Sequence, residues 1–93
     1  MTKKEFQDLR REIQARYLHN RYQNKNHLQK DLSEFLNKEI KLSRRNNDYF
    51  VGCDFGLSCD VTIDDETDLY ITIFYIKDRQ EQLYITEIWV TTN

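Results

Sequence analysis

Acidic side chains between residues 49 and 68 are the densest group of potentially reactive residues in this sequence. That stretch holds six carboxylates and no Lys or Arg. Clustered carboxylates are typical of metal sites and of acid–base catalysis. Asp54, Asp60 and Asp64 are six and four residues apart, however, and on a strand they would spread over about 30 Å. One cation cannot collect ligands that far apart, so we expect no metal site here.

Two cysteines and two histidines are the other candidates for metal binding or nucleophilic chemistry. Cys53 and Cys59 match no Cys-x-x-Cys or zinc-binding pattern. A continuous strand places them about 20 Å apart, too far for a disulfide, whereas a hairpin centred at Gly56 would place them opposite each other. His19 and His27 flank a predicted helix turn and are interpreted as solvated helix ends.

Motifs for catalysis or for nucleotide binding are missing from the sequence. There is no Ser-His-Asp set and no Gly-rich phosphate loop. A chain of 93 residues buries only about 60–65 % of the surface that it exposes when unfolded, which leaves little material for the walls of a deep pocket. We therefore expect a protein that is not an enzyme and that uses no cofactor.

Two helices are predicted in the first half of the chain. Apolar residues recur at spacings of three and four over residues 3–23 and again over residues 27–41. Asn26 is the expected cap of the second helix. The short loop between the helices predicts an antiparallel helical hairpin over residues 2–41.

A segment of the second predicted helix, Gln29 to Leu36 (QKDLSEFL), resembles the first helix of helix-turn-helix regulators. The tight turn and the recognition helix of those proteins have no counterpart here, because strand periodicity begins at residue 49. The segment is therefore interpreted as an ordinary amphipathic helix.

Strand periodicity dominates the second half of the chain, after a linker predicted at residues 43–47. From Tyr49 to Ile63 the odd positions are apolar and the even positions are mostly small or acidic. This alternation is typical of a strand with one buried and one solvated face. It predicts either one strand bent near its two glycines, which we favour, or a hairpin that turns at residues 55–57.

Two further strands complete the predicted sheet of residues 48–91. They cover residues 69–76 and 83–91, and the second changes phase near Glu87, which indicates a bulge. Polar turns are predicted at residues 64–68 and 77–82. The predicted fold is α+β: a helical hairpin on one face of a three- to four-stranded antiparallel meander, forming a two-layer sandwich in a single domain of residues 1–93.

Charge is strongly segregated along the chain. Residues 1–45 carry twelve basic and six acidic side chains, whereas residues 46–76 carry seven acidic side chains and no Lys or Arg. Asp is common in turns and on the wet side of strands, which is one explanation. The other is a docking field that steers a partner of opposite charge.

The outward residues of the predicted sheet combine this acidic charge with aromatic rings. Such a patch is typical of a protein interface, either with another protein or in a homodimer, and the remaining alternative is that a loop covers it. The candidate partner-binding residues are Asp54, Asp60, Asp64, Asp65, Glu66, Asp68, Tyr70, Phe74, Tyr84 and Trp89.

These patterns favour a small inhibitor or modulator that docks its acidic, aromatic face on a basic protein that handles nucleic acid. The absence of proline and the abundance of asparagine suit a low-GC bacterium or its phage, and no signal-peptide core is present, so we expect a bacterial cytoplasmic location. In size and charge the chain resembles small anti-CRISPR and DNA-mimic inhibitors. The alternative is a nucleic-acid-binding regulator that dimerises through its sheet and contacts phosphates with Arg10, Arg11, Arg16, Arg21, Lys25, Arg44 and Arg45.

Overall fold

Seven elements follow one another in a computed structural model that describes residues 1–45 and 55–92. The helices are α1 (Lys3–Tyr17) and α2 (Lys25–Leu36). The strands are β1 (Arg21–Tyr22), β2 (Ser43–Arg45), β3 (Phe55–Asp64), β4 (Thr67–Lys77) and β5 (Leu83–Thr92).

The strands form one curled, antiparallel sheet in the order β1-β5-β4-β3-β2. The α+β class is thus confirmed. The expected strand number of three to four is too low, because β1 and β2 are two- and three-residue strands that add to the two sides of the predicted meander. Residues 43–45, expected to be a linker, pair with β3.

The three long strands agree closely with the predicted periodicity. β3 passes through Gly56 without a turn and pairs continuously with β4 from Phe55 to Thr62, so the less favoured alternative, a hairpin that turns at residues 55–57, is wrong. Residues 49–54, the rest of the predicted bent strand, lie outside the described residues. The register between β4 and β5 shifts where Tyr75 pairs with Ile85 and Phe74 with Glu87, which confirms the expected bulge.

The first helix is shorter than predicted because the chain leaves it to join the sheet. α1 ends at Tyr17 rather than at residue 23, and His19 has a positive φ of 66°. The His19 N–H then donates to the Ile85 carbonyl at 2.9 Å, and the Ile85 N–H donates to the Asn20 carbonyl at 3.0 Å. These bonds start the pairing of β1 with β5, which interrupts the predicted helical hairpin.

The second helix begins and ends at asparagines. Asn24, not the expected Asn26, is the N-cap, and its side chain accepts from the His27 N–H at 2.9 Å. Asn37 ends the helix in the left-handed region with φ of 53°, four residues before the predicted end at residue 41. Ile40 and Leu42 are nevertheless buried, because the chain beyond the helix crosses over the core.

The core lies between the helices and one face of the sheet. Odd-numbered residues of β3 and the first part of β4 point into it, and the bulge in β5 keeps both Ile85 and Ile88 on the same side. The helices contribute Ile13, Tyr17, Leu28 and Leu32. We call this the inner face of the sheet. The opposite, outer face carries the even-numbered residues of β3 and the even-numbered residues over most of β4.

Candidate functional site

The outer face brings acidic and aromatic residues together across three strands. Asp60 on β3 pairs directly with Tyr70 on β4, and two residues further along β4, Thr72 pairs with Trp89 on β5. Tyr70 and Trp89 are therefore diagonal neighbours on adjacent strands, which is within reach for large rings. Each has an exposed fraction of 42 %. Asp60 is exposed beside them.

A fourth residue, Asp68, extends this surface toward the β3–β4 turn. Asp68 pairs with Thr62, whose hydroxyl donates to the Asp68 Oδ1 at 3.0 Å. Asp68 is half-buried, so its carboxylate contributes charge to the surface while the threonine orients it. We call Asp60, Asp68, Tyr70 and Trp89 the acidic aromatic patch.

Phe74 belongs to the outer face by register, but its side chain is only 1 % exposed. The surface exposure expected for this ring is therefore not found. Its ring lies in an edge-to-face contact with Trp89, with centroids 4.8 Å apart. This geometry is favourable for aromatic pairs and fixes the orientation of the indole that the patch exposes.

Tyr84 lies apart from the patch, at the opposite end of β5. Its ring is half-buried, with the Arg21 guanidinium 4.7 Å from its centroid and His19 stacked at 6.1 Å. Arg21 also binds Asp78, with 3.2 Å between Nε and Oδ2. The sequence does not reveal this cluster, because the cluster depends on β1, a strand of two residues that shows no periodicity.

The acidic side chains of the β3–β4 turn differ in how strongly other groups bind them. Asp64 accepts from the Met1 ammonium at 2.8 Å and from the Glu66 N–H at 2.9 Å, and these bonds lower the pKa of its carboxyl to about 2. Its charge is thus partly compensated. Asp65 and Glu66 are exposed, and Asp54 lies outside the described residues.

The basic residues of the alternative hypothesis are divided between free and engaged side chains. Arg16 binds Asp31 at 3.1 Å and lies 4.9 Å from the Phe35 ring, and the Arg44 guanidinium lies 5.6 Å from the Phe55 ring. Arg21 is held by Tyr84 and Asp78, as described above. The others expected to contact phosphates are exposed on the helices, at Arg10, Arg11 and Lys25, or belong to β2, at Arg45.

The described ranges contain one of the two cysteines, Cys59. Burial raises the pKa of the Cys59 thiol to about 11, which suppresses its nucleophilic thiolate form. Cys53 lies outside the described residues. Across residues 1–45 and 55–92, no three His, Cys, Asp or Glu side chains are grouped as metal ligands would be, and neither described helix is long and apolar enough to cross a membrane.

Comparison with known proteins gives no match to this chain among protein-family models, curated proteins or solved structures.

Proposed function

We propose that this chain is a small, non-catalytic binding protein that docks its acidic aromatic patch on a basic surface of another protein. The observation that carries this proposal is the diagonal placement of Tyr70 and Trp89 on adjacent strands, each 42 % exposed, beside the carboxylates of Asp60 and Asp68. Large aromatic rings are costly to leave in water and are enriched at the centres of interfaces.

The rings and the carboxylates would have separate tasks in such a complex. Tyr70 and Trp89 provide rigid, amphipathic area that is desolvated on contact, and Phe74 holds the indole in place from below. Asp60 and Asp68 steer a basic partner and fix the orientation of the encounter. No Lys or Arg is among the residues of β3, β4 and β5 that pair around the patch, from Ser58 to Thr62, from Asp68 to Thr72 and from Trp89 to Thr91.

A protein that handles nucleic acid is the partner class that fits best. Its phosphate-binding groove presents Lys and Arg at the spacing of a polyanion, and a surface that carries carboxylates competes for those side chains. Occupation of the groove would inhibit the partner. We therefore propose an inhibitor or modulator of the phage or mobile-element type, acting in the cytoplasm of a bacterial host and similar in character to anti-CRISPR and DNA-mimic proteins.

The test combines charge reversal and ring truncation in the patch. Immobilised wild type, Asp60→Lys and Tyr70→Ala would capture proteins from nuclease-treated bacterial lysate, and affinity would then be measured with the purified candidate partner. Asp60→Lys should abolish capture, and Tyr70→Ala should weaken affinity by roughly 30-fold, as expected for an aromatic anchor worth about 2 kcal/mol.

Glu12→Lys is the matched control, because it reverses another exposed charge, on α1 and away from the patch. Circular dichroism would verify that all the variants fold. A partner that Asp60→Lys and Tyr70→Ala retain at wild-type strength would contradict the docking surface. A dimer of the free protein that Tyr70→Ala dissociates would show that the patch binds a second copy instead.

A nucleic-acid-binding regulator is the second candidate function, and one observation favours it. Arg10 and Arg11 are both exposed on α1, and neither forms an ion pair with another described residue. Anisotropy of a labelled 20-base-pair duplex would decide between the two. Binding that weakens steeply with salt and is lost in Arg10→Glu would support the regulator, and it would leave Asp60→Lys binding at least as tightly as wild type.

A further inference from the structure

One side of β5 has no neighbouring strand over most of its length in the described part of the chain. β1 pairs only with Leu83 and Tyr84, so the segment Glu87–Thr92 forms a sheet edge. The Gln14 side-chain amide donates to the Ile88 carbonyl at 3.5 Å, which shows that the Ile88 backbone faces this edge. Alternation along the strand directs the N–H and C=O of Val90 to the same side.

The edge is bordered by a stripe of α1 that carries donors and no carboxylates. Lys3, Gln7, Arg10 and Gln14 are spaced four, three and four residues apart, so they share one flank of the helix. Arg10 and Gln14 line a groove of about 410 Å³ with residues 87–91, and Lys3 lines a second groove beside Thr92. We call these four residues the α1 stripe.

The other side of the same edge presents the Trp89 indole between Glu87 and Thr91. Trp89 points to the outer face of the sheet, away from α1, and is 42 % exposed. The side chains of a strand added at the edge would alternate between these two environments. One set would face the α1 stripe, where cations and amides favour carboxylates, and the other set would lie beside the Trp89 indole. Glu87 is the one acidic residue among the described residues that line the groove, and it lies at the end next to the bulge.

We propose that the edge of β5 binds an extended peptide segment of another protein as a sixth strand, with acidic and apolar residues alternating along the peptide. Main-chain hydrogen bonds to Val90 supply part of the affinity, and the alternation supplies specificity. A second copy of this chain fits less well. Antiparallel pairing of two β5 edges about Val90 would place both α1 stripes on the same side and bring the two Arg10 side chains toward each other.

The experiment uses a capped, fluorescein-labelled hexapeptide of alternating Glu and Val, titrated with the full chain and followed by anisotropy. Wild type should bind it saturably. Arg10→Glu should weaken binding by about tenfold or more, because attraction is replaced by repulsion at the groove. Arg11→Glu is the matched control: it makes the same charge change on the outward side of α1 and should alter affinity by no more than about twofold. Asp60→Lys should bind the peptide no less tightly than wild type, which separates peptide binding at the edge from the task of Asp60, although Trp89 belongs to both surfaces.

Two further measurements make the result specific to strand addition. A peptide with the same sequence but N-methylated at alternate residues should lose binding, because it cannot complete the main-chain ladder. Amide hydrogen exchange of Val90 should slow when the unmodified peptide is present. The proposal is overturned if wild type does not bind the peptide, if Arg10→Glu and Arg11→Glu weaken binding equally, or if the free protein is a dimer closed through this edge.

Discussion

Two buried tyrosines illustrate how differently one hydroxyl can contribute at the scale of single residues. Tyr17 and Tyr22 have ring centroids 6.0 Å apart. The Tyr22 hydroxyl donates to Asp31 Oδ2 at 2.6 Å, and Arg16 donates to the other carboxylate oxygen at 3.1 Å. The Tyr17 hydroxyl is buried and makes no hydrogen bond of good geometry to a described residue, although the Arg16 and Asp31 side chains lie near it. A buried hydroxyl without a partner costs free energy, whereas one bound to a carboxylate stabilises the fold.

Replacing each tyrosine by phenylalanine should therefore have opposite consequences. Tyr22→Phe should lower the free energy of unfolding by about 2 kcal/mol, since it removes a hydrogen bond to a charged group. Tyr17→Phe should leave that free energy unchanged or raise it by up to about 1 kcal/mol. Urea denaturation at pH 7 measures both changes, and each variant controls for the other because both keep a buried ring. An equal loss of unfolding free energy in both variants would contradict the hydrogen bond between Tyr22 and Asp31.

The difference in stability between wild type and Tyr22→Phe should change with pH in a definite direction. Partial burial raises the pKa of Asp31, but hydrogen bonds from Tyr22 and Arg16 outweigh it, and the net pKa of Asp31 is lowered. The stabilisation is then fully present above the unfolded pKa of about 3.9 and is lost as the pH falls through the lower, folded pKa. The stability gap between wild type and Tyr22→Phe should be constant from pH 5 to 7 and narrow below about pH 4. A stability difference between the two proteins that stays constant on acidification would contradict the hydrogen bond between Tyr22 and the ionised Asp31.

For the helices and strands, the sequence predicts those features that the periodicity of apolar residues encodes. The phase of β3 and β4 and the bulge in β5 follow from the alternation of apolar and polar residues. β1 and β2 could not be predicted, because two or three residues show no period and their pairing depends on strands far away in the sequence. The end of α1 was missed for the same reason, since Tyr22 continues the helical spacing yet belongs to β1.

The turn between β4 and β5 contains a backbone position at which glycine should stabilise the protein. Glu81 has a positive φ of 61°, in the left-handed region that costs most residues about 1 kcal/mol. Asp78 organises this turn by accepting from the N–H groups of Gln80 and Gln82. Glu81→Gly should raise the free energy of unfolding by about 0.5–1 kcal/mol, as measured by urea denaturation. Gln80→Gly, one position earlier, should lower that free energy, and a stabilising Gln80→Gly would show that the turn adopts another conformation.

Across the whole molecule, the sequence locates the candidate surface better than it describes its accessibility. Asp60, Tyr70 and Trp89 lie on the outer face and are exposed, as the alternation predicts. Phe74 shares their face but is buried, and Tyr84 is held by the β1 cluster. Period two determines which side of a sheet a residue points to, but exposure also depends on what packs against that side, and this involves residues distant in sequence.

Charge separation on the scale of the whole chain should produce attraction between copies of the protein at low salt. The first 45 residues carry an excess of six positive charges, and residues 46–76 carry seven negative charges, although the chain as a whole is nearly neutral. The Debye length is about 30 Å at 10 mM salt and about 8 Å at 150 mM. Oppositely charged segments of neighbouring molecules should therefore attract one another only at the lower salt concentration.

Light scattering measures this attraction as a negative second virial coefficient at 10 mM salt that rises toward zero or above at 150 mM. The double variant Arg11→Glu with Asp65→Lys is the control, since both residues are exposed and the exchange keeps the net charge at −2 while reducing the separation. It should lose most of the low-salt attraction. If the double variant keeps the salt dependence of wild type, attraction between copies comes from apolar contacts such as the acidic aromatic patch rather than from the segregated charge.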